Sequence, residues 1–483
     1  MTPETTRDLR FSETLFWVLL SAVAFHLSYA AAWLGGLTLV YLYGLVQLAR
    51  AGTWRRALHA GLAAGLIIAA GRLDFFVRIF SWGAAVLWLV FAFWIALFVV
   101  LARLCLTRFP VPWSWVCIPF VWCGLEYIRS ELYYLKFAWL SPGFAFEAFP
   151  WSGVFPHLGV YGIGFVIAVV SCAIASVSQK SRLQGLTATA LGAFLLGLPA
   201  VWVPEARGGQ SSDIIRVAGI QMEFPSEQQV VVGLNNLIRA HPDTDLIVLS
   251  EYTFSDVVPA KVMKWCRDHR KYLIAGGKES AENHQFRNTA FVISPEGEVV
   301  FRQVKSVPIQ FFKDGLPAAV QGVWSSPWGR LGICICYDLS YTRVTDRLVE
   351  LGAQALIVPT MDVADWGVRQ HRLHARVAPV RAAEYGIPVF RVASSGISQL
   401  IDARGALLAD APCPGQDAVI TGKVEIGSPG TLPLDRWLGP AAAFLTVLGM
   451  LLFSGQALLK IWVSRSVLKT LAQVPSPAAG VHS

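Results

Sequence analysis

Long apolar stretches dominate the first two hundred residues, and a different rhythm takes over after Pro204. Seven stretches, at 12–31, 33–49, 57–71, 79–102, 111–128, 157–177 and 184–203, and an eighth at 437–459, approach the ~20 residues that a helix needs to cross a bilayer core. The third is the shortest of them. Between 214 and about 426 the pattern is finer. Short apolar runs at 214–220, 246–249, 272–276, 289–293, 299–304, 355–359 and 388–393 read as strands, and the segments 226–241, 259–269 and 368–384 read as helices. A hairpin is expected over 398–408, turning on Asp402 to Gly405. This alternation predicts an α/β layered domain. The expected organisation is a membrane bundle at 1–204, a Gly/Ser-containing linker at 205–213, an extracytoplasmic domain at 214–426, an eighth membrane helix at 437–459 and a tail at 460–483.

Composition sharpens this picture. With 54% hydrophobic residues, 18 Trp and 28 Phe in 483 residues, and a mean hydropathy of +0.51, the chain is too apolar for a soluble enzyme. The net charge of +8 is spread over loops rather than gathered in a stripe, which excludes a nucleic-acid surface. The first stretch is too long for a signal peptide and lacks a small-residue cleavage site, so a retained helix is expected. The eight cysteines show no metal-ligand spacing, and Cys334 and Cys336 stand too close together for a disulfide or a zinc corner, so no metal site is expected from them.

Charge also orients the bundle. With the N-terminus in the cytoplasm, the inner segments hold Arg7, Arg10, Arg50, Arg55, Arg56, Arg103, Arg108, Lys180, Arg182, Lys460, Arg465 and Lys469. The short outer loops hold Arg72, Arg78, Arg129 and Lys136. Positive charge marks the cytoplasmic side, so seven helices would leave the polar domain outside.

Three apolar runs carry candidate chemistry. Residues 331–339 read Leu-Gly-Ile-Cys-Ile-Cys-Tyr-Asp-Leu and predict a strand ending on Cys336, a nucleophile once a base removes its proton. The run 245–251 closes on Glu251, and 299–305 closes on Lys305. Singly, each has a plainer reading: Glu and Lys at strand ends are ordinary surface groups, and a Cys in an apolar run is a small core residue. Together, on three similar strands with room for helices between them, they suggest one site.

The order Glu251, Lys305, Cys336 resembles the nitrilase superfamily, and the membrane half narrows the resemblance to its membrane-embedded branch, the apolipoprotein N-acyltransferase family. Trp139-Leu140-Ser141-Pro142-Gly143-Phe144 and Gly159-Val160-Tyr161-Gly162 are similar to that family's loop and sixth helix. Arg287-Asn288-Thr289-Ala290, Cys336-Tyr337-Asp338, Gln370-His371, Arg381-Ala382-Ala383-Glu384, Arg391 and Ser395-Gly396-Ile397-Ser398 follow in the family's order.

The resemblance implies an α-β-β-α sandwich on about eight membrane helices. It implies Glu251 as general base, Lys305 as oxyanion stabiliser with a backbone N–H near Tyr337, and Cys336 as nucleophile. The reaction would move a fatty acyl chain from a phospholipid, through a thioester, to the amino group of a diacylglyceryl-cysteine lipoprotein, with no metal or cofactor, since the thioester itself would hold the activated acyl group. It would do so in the bacterial inner membrane, with the catalytic domain periplasmic and the protein a monomer.

Three positions depart from the family: Asp338 stands where Glu is usual, Val307-Pro308-Ile309-Gln310-Phe311 lacks an accessory glutamate for which Asp314 could substitute, and no Trp matches within 221–232. The aromatic loop at 129–156 reads either as an interfacial belt or as a lip for entering lipid, with Trp139, Phe144 and Phe146 as candidate substrate contacts. A membrane amidase or lipid hydrolase, and an inactive scaffold, remain alternative readings.

Overall fold

The computed structural model describes residues 9–111, 113–147, 151–177, 213–415 and 417–472, so the span expected at 184–203 and most of the linker lie outside the described residues. The membrane half is built from α1 (Phe11–Ser28), α2 (Thr38–Leu48), α3 (Trp54–Arg72), the short α4 (Phe76–Phe80), α5 (Gly83–Arg108), α6 (Trp113–Tyr127) and α7 (Phe155–Val177). A terminal helix, Asp435–Ala472, follows the polar domain.

Four described helices are long and apolar enough to cross a membrane: α1, α5, α7 and the first part of the terminal helix. The other described stretches are helical but differ in form. The second begins as a 3₁₀ segment, Ala32–Leu37, before the 11-residue α2. The third extends beyond its expected ends as the 19-residue α3, whose Arg, His and Gly content dilutes its hydropathy. The fifth is 15 residues long and runs into a π turn, Ile128–Leu132. Among the described residues, length and hydropathy therefore support four of the expected eight spans, and the count of eight is not confirmed.

Helices α3 and α5 pack closely because both present small residues. A Cβ on Gly61 would fall 2.6 Å from Ala96 Cα, and one on Gly65 would fall 2.6 Å from Ala92 Cα. Two small-xxx-small faces let the backbones meet, as membrane helices without a hydrophobic driving force require.

The polar domain contains two six-stranded sheets. One has the order β12-β1-β2-β3-β4-β5, from β1 (Asp213–Ile220), β2 (Leu246–Leu249), β3 (Tyr272–Ser280), β4 (Phe286–Ile293), β5 (Val299–Val304) and β12 (Val419–Ile426). The other has the order β11-β10-β9-β8-β7-β6, from β6 (Val323–Ser326), β7 (Gly329–Ile333), β8 (Ala355–Thr360), β9 (Val389–Ala393), β10 (Ser398–Ile401) and β11 (Leu407–Ala411). Helices α8 (Glu227–Ala240) and α9 (Ala260–His269) cover the first sheet, where Val230, Leu234 and Val262 pack on Ile220, Ile247 and Leu249. The opposite face of the same strands, through Val217, Val248 and Val292, joins the core that includes Ile333, Val358 and Val392. Burial on both faces is why these strands are unbroken apolar runs rather than alternating ones.

The second sheet carries α10 (Thr342–Glu350), α11 (Val368–Ala375) and α12 (Val377–Tyr385). Residues 368–384, expected as one helix, form two. Pro379 has no N–H to return to the carbonyl of Ala375, so the ladder breaks there. Strands β6 and β12 and helix α10 were not anticipated.

A buried polar junction fixes the domain on the bundle. Helix α7 breaks at Gly159, whose φ is +65°, and its backbone N–H groups resume beyond the break. Val160 N–H donates to Glu384 of α12 at 2.7 Å, and Tyr161 N–H donates to Asp435 at 2.9 Å. Two carboxylates thus cap one helix start, where the dipole favours negative charge. The terminal helix, α13 (Asp435–Ala472), begins on this cap, and Arg436 ties it to Asp346 at 2.7 Å.

Candidate active site

Cys336 does not end a strand, as its run suggested. Strand β7 stops at Ile333, and Cys336 opens a 3₁₀ turn, Cys336–Ser340, with φ of +52°. A non-glycine residue in the left-handed region is strained by about 1–3 kcal/mol, and such strain persists only where the surroundings over-determine it. Asp338 supplies that determination. Its carboxylate accepts from Ile335 N at 3.2 Å, Ser306 N at 3.0 Å and Val307 N at 2.7 Å. Each such charge-assisted bond contributes ~1.5–3 kcal/mol, and together they clamp the Cys336 turn to the chain just after Lys305. Burial pushes the Asp338 carboxyl up to about 6. The shortened carboxylate therefore reaches backbone, not the reacting groups.

Glu251 lies two residues beyond β2, and Lys305 directly follows β5. The structure brings them together. Lys305 Nζ is 2.8 Å from Glu251 Oε1 and 2.7 Å from Asp314 Oδ2, and all three side chains are nearly inaccessible. Asn288 Nδ2 donates to Glu251 Oε1 at 2.6 Å and to Asp314 Oδ1 at 3.1 Å, and Tyr252 OH donates to Asp314 at 2.8 Å. Glu251 Oε2 accepts from Met361 N at 2.9 Å. Cys336 Sγ donates to the O of Met361 at 3.6 Å, the residue whose N–H Glu251 accepts.

Burial opposes the charge on Lys305, yet the two carboxylates hold its pKa well above the usual ammonium value. Burial raises Glu251, and burial next to Glu251 pushes the Cys336 thiol well above the ordinary value of 9.0. A protonated thiol beside a carboxylate of raised basicity is poised for proton transfer. Asp314, expected as a possible substitute for the missing accessory glutamate, contacts the Lys305 ammonium. Asn288 carried no role in the sequence; its position inside an Arg-Asn-Thr run was the only signal.

A cavity enclosing about 940 Å³ of empty space, open mouth included, begins at Cys336. Tyr337, Trp139, Gln370 and His374 line it near the thiol, while Phe76, Ile79 and Phe80 of the α4 segment and Leu87, Val90 and Trp94 of α5 line it towards the bundle. Ile309 to Phe312 form its rim, where Phe80 meets Phe311 and Phe312 edge-on at 5.8 and 5.9 Å. Tyr337 OH donates to Lys136 O at 3.1 Å, and Trp139 Nε1 donates to Ser340 Oγ at 2.9 Å, which seats the 129–147 loop against the Cys336 turn.

Of the three aromatic candidates in that loop, only Trp139 reaches the cavity. Phe144 is fully buried with the Arg381 guanidinium 5.9 Å from its ring, and Phe146 packs beside Gly35. Phe144 and Phe146, expected as substrate contacts, do not line this cavity, because the loop folds inward at Pro142 and packs both rings. Among the described residues no cluster of His, Cys, Asp and Glu is arranged to hold a metal.

Comparison with known proteins adds the following. Residues 18–173 match the family model for the apolipoprotein N-acyltransferase N-terminal domain, and residues 217–430 match that for carbon-nitrogen hydrolase. The chain is 24% identical over 362 residues to an apolipoprotein N-acyltransferase of Geobacter metallireducens, covering 65% of this chain and 68% of that protein. It is 22% identical over 464 residues to the protein of that name from Pasteurella multocida, covering 83% and 87%. Among solved structures, a carbon-nitrogen hydrolase from Helicobacter pylori covers 44% of this chain and 90% of its own, with a TM-score of 0.40 and 18% identity. Saccharomyces cerevisiae Nit3 covers the same shares at a TM-score of 0.39 and 20% identity.

Proposed function

Since the chain belongs to the apolipoprotein N-acyltransferase family, matched in its membrane half and in its hydrolase-like half in order, we propose that it transfers a fatty acyl chain from a phospholipid to the amino terminus of a diacylglyceryl-cysteine lipoprotein. Glu251 takes the proton from Cys336. The thiolate attacks an ester carbonyl of the phospholipid, and Lys305 with a backbone N–H near Tyr337 stabilises the oxyanion. The C–S bond forms, the C–O bond breaks, and the departing glycerol oxygen takes the proton from Glu251. In the second half the amine nitrogen attacks the thioester carbon, the C–N bond forms and the C–S bond breaks, and the proton returns through Glu251 to sulfur.

One observation carries this reading: the thiol sits at one end of an apolar cavity whose other walls are α4 and α5 of the bundle. A soluble amidase has no use for such a wall. Both proposed substrates do, because withdrawing an acyl chain from lipid costs about 0.8 kcal/mol per CH₂. The bias of Lys and Arg towards the opposite loops supports an extracytoplasmic placement of the catalytic domain, in the inner membrane of a bacterium.

The test is mass spectrometry of the purified protein after incubation with phospholipid, followed by addition of a diacylglyceryl-cysteine peptide. An acyl mass on the Cys336 peptide that passes to the lipopeptide is expected. An adduct released chiefly as free fatty acid would favour a lipid hydrolase, and no adduct would overturn acyl transfer through Cys336.

A further inference from the structure

The apolar cavity contains two buried acceptor groups that no donor among the described residues satisfies. His374 and Gln370, one helical turn apart on α11, both line it and are 1% and 2% exposed. Their inner atoms share a partner. His374 Nδ1 lies 2.8 Å and Gln370 Nε2 3.0 Å from Asp362 Oδ1, while Arg391 holds Oδ2. Burial opposes ionisation of Asp362, but His374 and Arg391 pull its carboxyl well below the usual range. An ionised carboxylate can only accept, so the amide donates to it, and so does the imidazole, whose Nδ1 lies nearer to Oδ1 than to the Arg391 Nη2 at 3.1 Å that is already engaged by Oδ2. That donation settles their outer atoms. A neutral imidazole protonated at Nδ1 keeps a lone pair on Nε2, and an amide donating through nitrogen turns its oxygen away. Burial lowers the pKa of His374 and keeps the ring neutral.

Neither His374 Nε2 nor Gln370 Oε1 has a partner among the described residues. Leaving a buried acceptor unpaired costs about 1–3 kcal/mol, a cost that a ligand with N–H or O–H groups removes. Trp139 stacks on the imidazole with centroids 4.8 Å apart and planes 19° apart, so the ring does not turn to find another donor.

We propose that His374 Nε2 and Gln370 Oε1 form the seat for the acyl acceptor's amino group, holding its N–H donors beside the Cys336 thioester. The proposal rests on the acyl-transfer reading above. The chemistry of the two substrates separates them. An intact phospholipid has neither N–H nor O–H at its ester groups, so paired acceptors in an apolar cavity offer those groups nothing. A free amine on a lipid-modified chain end brings at least two N–H donors. With one N–H held at each acceptor, the nitrogen lone pair is left for the thioester carbon. His374 gains and loses no proton in this step; the proton leaving nitrogen passes through Glu251 to the released thiolate. Asp362 touches neither substrate and is a positioning residue.

The experiment uses the full chain in detergent, charged with phospholipid to the acyl-enzyme and then discharged in parallel with a diacylglyceryl-cysteine peptide and with ethanethiol, a small thiol with neither N–H nor O–H groups. His374→Phe and Gln370→Leu are expected to raise KM for the lipopeptide at least ~10-fold each. Acyl-enzyme still forms, and discharge by the thiol keeps its wild-type rate. His374→Gln, which restores an acceptor oxygen, recovers part of the loss. Lipopeptide KM unchanged in both variants would overturn the seat, as would a parallel fall in both discharges, which marks a purely structural role. Absence of acyl-enzyme in the wild type would overturn the acyl-transfer reading itself, and the seat with it.

Discussion

At the scale of single residues the site holds its buried charges against opposite charges. Lys305 faces two carboxylates, Glu251 and Asp314, and Asn288 bridges both. The thiol in this setting is pushed up by burial and by Glu251, so it rests protonated at neutral pH. A group whose pKa is raised loses its proton later, so thiolate becomes more abundant as pH climbs and does not saturate near 7. Alkylation of Cys336 by iodoacetamide should therefore accelerate through pH 9, by up to ~10-fold per unit. A plateau below pH 8 in the rate of adduct formation would contradict a protonated resting thiol. Glu251, Lys305 and Cys336 were legible as residue types at the ends of apolar runs. Asn288, Asp362 and His374 were not, because a buried polar side chain announces itself only through the partners that the fold brings to it.

At the scale of elements the apolar runs were sound guides to strands and poor guides to where each ends. Strands β2 and β5 coincide with their runs, whereas the run through Cys336 is cut three residues short by the turn that exposes the sulfur to the cavity. Helix α7 shows the same limit. Its sequence reads as one span, yet Gly159 adopts φ of +65° and Asp435 packs so closely that an added Cβ would lie 2.2 Å from its carboxylate oxygens. Gly159→Ala should destabilise the protein by about 1–3 kcal/mol, from backbone strain alone, and loosen the junction that seats the catalytic domain. Thermal unfolding in detergent reads this as a lowered Tm; an unchanged Tm would mean that the break in α7 is not held by this junction.

At the scale of the whole molecule, the proposed acyl transfer depends on a cavity that belongs to neither half. Its thiol end comes from the sandwich, its far wall from α4 and α5, and its rim from residues 309–312. Val90→Trp, on α5, fills the far part and should shorten the acyl chain that fits. Each excluded CH₂ costs about 0.8 kcal/mol, or about fourfold. Donors with long chains should lose kcat/KM while short-chain donors keep theirs, measured in competition. Equal loss for all chain lengths would place the acyl chain elsewhere.

By itself the sequence determined the layered α/β class, the apolar character of the bundle and the three residue types at the centre, because hydrophobic periodicity and strand-end chemistry are local properties of a chain. Only the tertiary structure decided that Cys336 sits on a left-handed turn, that Asp314 shares the ammonium of Lys305, and that Trp139 faces the thiol's cavity while Phe144 and Phe146 turn into packing. Each of these is set by groups tens to hundreds of residues apart, whose burial together fixes which hydrogen bonds and charges can be satisfied.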